Sequence, residues 1–112
     1  MNMKRIQILA IGLFLVSGNL WAAFFDGNNL HNWLVQKEKS NVPSYVSGLF
    51  DGYVAGVVDA GDGLVFCTGS GVTAGQNSAV VAKYINNNPE KWNKNADLLV
   101  VDALKKAFPC KK

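Results

Sequence analysis

Two cysteines, Cys67 and Cys110, lie far apart in a chain of 112 residues, and whether they pair decides what so short a chain can fold into. The N-terminus bears on that question. Lys4 and Arg5 precede an apolar run from Ile6 to Val16, and Leu20-Trp21-Ala22 offers a small residue at a cleavage point, which is the layout of a secretory signal peptide. The expected organisation is a signal peptide over residues 1–22 and one domain over residues 23–112, with cleavage after Ala22 and Ala23 as the neighbouring alternative. The run is too short to stay as an anchor, because a helix needs about 20 apolar residues to span a bilayer. No membrane association is expected after cleavage. In an oxidising compartment, pairing of Cys67 with Cys110 is the default. The ninety or so residues that remain are near the size at which a core alone gives modest stability. Closing a loop of roughly forty residues would add about 4 kcal/mol in the chain-entropy model. A thiol catalyst is the rival use of these cysteines, but there is no CxxC spacing and no adjacent activating group.

Charge narrows the partners. Once Lys4 and Arg5 leave with the leader, nine lysines face eight carboxylates and no arginine remains. Arginine is the residue whose fixed fork reads phosphate and guanine edges, so nucleic acid is not an expected partner. Lys105, Lys106, Lys111 and Lys112 read as a solvated face that complements a helix C-terminus.

The pattern along the chain is helical, with no alternating strand. Leu30, Trp33 and Leu34 make one stripe on a helix from about Asn28 to Lys37. Pro43 suits the first turn of a second helix reaching towards Asp59, with Val46, Leu49, Phe50, Tyr53 and Val57 as its apolar face, and Gly61, Asp62 and Gly63 end it. Gly48, Gly52 and Gly56 fall four residues apart on one ridge of that helix. Each costs about 1 kcal/mol relative to alanine, so close approach of another backbone is expected there, either within the chain or in a homodimer. Thr73 with Gln76 is a capping-box pair that opens a third helix through Val80, Val81 and Tyr84, and Pro89 stops it. A short segment follows from Asn88 to about Trp92. The last helix, about Asn95 to Phe108, carries Leu99, Val100, Ala103 and Leu104 at helical spacing, and Pro109 ends it. The expected fold is all-α, a small domain of four to five helices with one disulfide, which ties the end of the last helix to the loop between the second and third.

Constellations that could carry chemistry are incomplete, and no enzyme is expected. His31 is the one histidine, and no serine is marked as its nucleophile, since Thr68-Gly69-Ser70-Gly71 lacks the G-x-S-x-G spacing. Neither a zinc set nor a calcium loop can be assembled, because Asp59-Ala60-Gly61-Asp62-Gly63 puts glycines where oxygen ligands are needed. Asp51 and Asp59, about 12 Å apart on a helix, are wider than a glycosidase pair. The glycines at 69, 71 and 75 lack the lysine and hydroxyl of a phosphate loop. No cofactor or metal is expected.

An ordered set of short motifs carries a resemblance that none carries alone. Gly52-Tyr53-Val54-Ala55-Gly56-Val57-Val58-Asp59 is followed by Cys67, then by Gly71-Val72-Thr73 with Gln76. Val80-Val81, Lys83-Tyr84 and Asn88-Pro89-Glu90 come next, and Ala103-Leu104 leads to Ala107-Phe108-Pro109-Cys110. In this order the pieces resemble the Rap/Tai type of immunity protein, which protects Gram-negative cells from peptidoglycan amidases delivered by type VI secretion. The resemblance implies an all-α periplasmic domain, often dimeric, that binds a cognate amidase and obstructs its active-site groove. The alternative function from a different class is a periplasmic chaperone or stress-response protein.

The partner-binding surface is expected on the acidic turn Asp59 to Gly63, with Asp59 and Asp62 as its charges, together with the cysteine-anchored loop Thr68, Gly69, Ser70 and Gly71. A polar, glycine-rich loop fixed at Cys67 can enter a cleft at lower ordering cost than a free one. The rival surface is Asn86 to Trp92, where Trp92 is an aromatic anchor or part of the core.

Overall fold

Reciprocal side-chain caps decide where the helices begin. The computed structural model describes residues 23–112, so the expected leader over residues 1–22 lies outside the described residues. Helix α1 spans Gly27–Lys39, and Asp26 and Asn29 close its first turn by each accepting from the other's backbone N–H at 3.1 and 3.0 Å. Helix α2 spans Tyr45–Gly61 and opens on the same device, built from Ser44 and Ser47. Pro43 therefore lies outside the helix and not in its first turn, because the serine pair satisfies the free N–H groups one residue later. Helix α3, Ala74–Asn87, starts at the expected Thr73 and Gln76 pair. A single 3₁₀ turn, Pro89–Lys91, leads to helix α4, Ala96–Ala107. No side chain caps α4; the Ala96 N–H donates to the Phe25 carbonyl at 3.0 Å. Lys105 and Lys106 occupy its last turn, where cations complement the helix dipole.

All four described α-helices contribute to one core. Leu30 and Leu34 of α1 meet Phe50 and Val54 of α2, Val81 and Ile85 of α3, and Leu99, Val100 and Leu104 of α4. The buried face of α2 is thus centred on Phe50 and Val54, while the expected Val46, Leu49, Tyr53 and Val57 are half-buried flanks. Phe66 enters from outside the helices and is fully buried. The Cys67–Cys110 disulfide forms as expected, with the α-carbons 4.9 Å apart. Beside it the Cys67 N–H donates to the Phe108 carbonyl at 2.9 Å. There is no β-sheet among the described residues, only the isolated bridges Asp26 to Asn95 and Asp62 to Phe66. Nor is any described helix long and apolar enough to cross a membrane.

Close backbone approach occurs at different glycines from those of the ridge. A β-carbon on Gly48, Gly52 or Gly56 would meet nothing within 4 Å, so no other element of the described chain covers that ridge and the within-chain contact is not made. The close approach is at Gly27, where a β-carbon would lie 2.6 Å from Trp92 Cα. There the Gly27 and Asn28 N–H groups donate to the carbonyls of Lys94 and Trp92, both at 2.9 Å, and α1 is laid directly on the segment before α4.

Candidate functional site

The loop after α2 is built by chain reversal over a glycine. A β-carbon on Gly61 would come within 2.9 Å of the Phe66 ring, so the absence of a side chain there lets Phe66 fold back under the helix end. The N–H groups of Leu64 and Val65 both donate to the Gly61 carbonyl at 3.0 Å, and Gly63, at φ +82°, donates to the Phe66 carbonyl at 2.7 Å. Gly69 and Gly71 also have positive φ, 73° and 91°, which accounts for glycine at both positions. The segment is fixed by Phe66 in the core, by the disulfide at Cys67, and by Asp62.

Asp62 reaches across the loop to Thr68. Its carboxylate accepts from the Thr68 N–H at 2.9 Å and from the Thr68 hydroxyl at 2.7 Å. These bonds, the backbone one foremost, hold the Asp62 carboxyl below its ordinary value. A carboxyl with a depressed folded pKa contributes stability above its unfolded value, and that contribution is lost as pH falls through the folded one. In an NMR titration, Asp62 is expected to have a midpoint below the ordinary carboxylate value of about 3.9. Thr68→Val, which deletes the hydroxyl donor, should move that midpoint upward; an unmoved midpoint would mean that the hydroxyl does not hold the carboxylate.

Four of the six expected partner-binding residues, Asp59, Asp62, Thr68 and Gly69, border one pocket of about 290 Å³ between the end of α2 and the start of α3. Ser70 and Gly71 lie outside it, exposed at the tip of the loop. Asn77, not among the expected site residues, is 5 % exposed and borders the same pocket. A signal was present, since Asn77 precedes Val81 and Tyr84 by four and seven residues and so falls on the buried face of α3.

A second, apolar concavity of about 530 Å³ follows the uncovered ridge. Gly52 and Gly56 form part of its floor, and Tyr53, Val57, Leu64 and Val101 contribute apolar surface, with Leu64 itself 80 % exposed. Asp97 stands at its border; burial, and after it the Asp97 charge, raise the Tyr53 hydroxyl above its usual value. On the rival surface, the Trp92 indole N–H donates to the Ile85 carbonyl at 2.9 Å and its ring stacks on His31 at 3.7 Å. Trp92 is half-buried and serves the fold, and His31 is its stacking partner. No group of three or more His, Cys, Asp or Glu among the described residues is arranged to hold a metal ion.

Compared with known proteins, residues 26–110 match the family model of the Rap1a immunity proteins. The match spans every helix of the described residues and both cysteines. Comparison with curated proteins gave no match.

Proposed function

Because the chain belongs to the Rap1a immunity protein family, we propose that it neutralises a secreted toxin by binding it, and that the toxin is a peptidoglycan amidase delivered by type VI secretion. The family match over residues 26–110 carries this reading. The disulfide supports export to an oxidising compartment, which in a Gram-negative cell is the periplasm. We assign the toxin-facing surface to Asp59, Asp62 and the loop Thr68 to Gly71, whose anchorage at Cys67 and Asp62 lowers the ordering cost of entering a groove. Obstruction of the groove requires no chemistry from the immunity protein. Co-expression with amidases encoded beside its gene should rescue growth when they are directed to the periplasm. Failure to rescue against every such amidase would sink this reading.

The uncovered glycine ridge supports a homodimer in which the ridge of one copy meets that of the other. Gly52→Leu tests it cleanly, because a side chain there has open space in the single chain and leucine is a better helix former than glycine by about 0.8 kcal/mol. Sedimentation should report half the wild-type mass, with the monomer folded at least as stably. A Gly52→Leu protein that keeps the wild-type mass would exclude this interface.

A further inference from the structure

We propose that two copies of the chain pack α2 against α2 in antiparallel about a two-fold axis at Gly52, so that Tyr45 of each copy donates to Asp59 of the other. The proposal rests on the homodimer reading and gives it a direction, a register and a polar contact. Tyr45, Gly52 and Asp59 follow one another at intervals of seven residues, the spacing that keeps side chains on the seam of two helices crossing at about 20°. All three are exposed, Tyr45 at 82 %, and a β-carbon on Gly48, Gly52 or Gly56 would meet nothing within 4 Å. The described chain therefore leaves this seam uncovered. The apolar concavity of about 530 Å³ includes Gly52 and Gly56 and so lies beside it, and a second copy seated on the seam covers both.

Charge sets the direction. Helix α2 carries Asp51 and Asp59 and no basic residue. Asp51 is already paired with Lys37 of its own chain, whereas Asp59 has no ion pair among the described residues. In a parallel pair each Asp59 would face the other, and like charges at close quarters repel. In an antiparallel pair centred on Gly52, the residue seven positions before the axis meets the residue seven positions after it. Each Tyr45 hydroxyl then faces an Asp59 carboxylate in a charge-assisted bond, and the two carboxylates stand about 20 Å apart, at 1.5 Å of rise per residue. Gly48 and Gly56 lie four residues either side of the axis, so small residues flank the crossing and the helix axes can approach to about 8 Å. Asp59 also belongs to the surface assigned to the toxin, so the dimer adds Tyr45 of the other copy to each such surface. That last consequence alone depends on toxin binding.

The test uses the oxidised protein, in which no cysteine is free, and needs no toxin. Tyr45→Cys and Asp59→Cys are made as separate proteins. Mixed and mildly oxidised, they should give a disulfide-linked pair with one chain of each. Neither should link to itself, because like positions lie about 20 Å apart and a disulfide needs α-carbons within about 7 Å. In sedimentation equilibrium, Tyr45→Phe and Asp59→Ala should each weaken dimerisation at least threefold, and the two together no more than the stronger alone, since both remove one contact. Self-linking of either cysteine variant, absence of the mixed pair, or multiplied effects of Tyr45→Phe and Asp59→Ala would overturn the proposal. A monomeric wild type would overturn it as well, and would leave neutralisation of a toxin standing.

Discussion

Replacing both cysteines, Cys67→Ser with Cys110→Ser, is expected to lower the stability of the domain by about 4 kcal/mol, the chain-entropy value for a loop of this length. The bridge spans a sequence separation of 43, about half of the described chain, so its loss enlarges the unfolded ensemble substantially. For a domain of this size the loss is a large part of the 5–15 kcal/mol that native proteins typically possess. Urea unfolding of oxidised wild type against the double variant measures it. The site should suffer before the core does, because Cys67 is a tether of the loop while the helices retain their apolar contacts. Faster amide exchange at Thr68 to Gly71 in the variant, under conditions where α1 and α4 stay protected, would show this order. A variant as stable as wild type would mean that the loop is held by Phe66 and Asp62 alone.

Phe66→Ala is expected to cost about 3–5 kcal/mol, the range for truncating a buried aromatic residue. Phe66 is fully buried yet belongs to no helix, so the substitution leaves every helix its propensity and its caps. What it removes is the anchor that draws the loop under the end of α2. The same urea measurement applies, and a loss below about 1 kcal/mol would mean that the surrounding chain collapses into the vacated space. Combined with loss of the disulfide, the two effects should sum to less than their separate values, since both act on one short segment. A fully additive combination would contradict a shared tether.

These effects concern the part of the molecule that was least legible in the sequence. The helices were readable because their signals are local: Thr73 with Gln76 marks the start of α3, and Leu99, Val100 and Leu104 mark the buried face of α4. Ser44 with Ser47 carries the same physics as Thr73 with Gln76 but is harder to read in a sequence, because a serine in the third position is a weaker signal than glutamine. Phe66 was not legible. A single aromatic residue in a glycine-rich turn has no periodicity, and its burial depends on Gly61 and on the fold-back that Gly61 permits. The ridge glycines had periodicity but no partner within the chain, whereas Gly27 and Gly61, each isolated in the pattern, are the ones that touch neighbours. Close approach is a tertiary property, and spacing along one helix says which face a residue is on without saying what lies opposite.

The candidate site divides in the same way. Asp59, Asp62, Thr68 and Gly69 were identifiable as polar loop and helix-end residues, and the fold gathers them around one pocket. That Asp62 holds Thr68, and so helps to shape the surface as well as charge it, follows only from a contact across the loop. Asn77 completes the pocket from the next helix; its buried position was inferable from periodicity, but its place beside Asp59 was not.

Binding and inhibition of a purified peptidoglycan amidase encoded beside this gene test the central claim most directly. Calorimetry of the oxidised protein against the amidase should show a stoichiometric complex, and the same ratio should abolish hydrolysis of peptidoglycan fragments. Asp59→Ala combined with Ser70→Ala should weaken binding at least tenfold, about 1.4 kcal/mol, with the thermal midpoint of the free protein nearly unchanged. Amidase activity that persists at full rate in excess oxidised protein, with no heat of binding, would contradict the account.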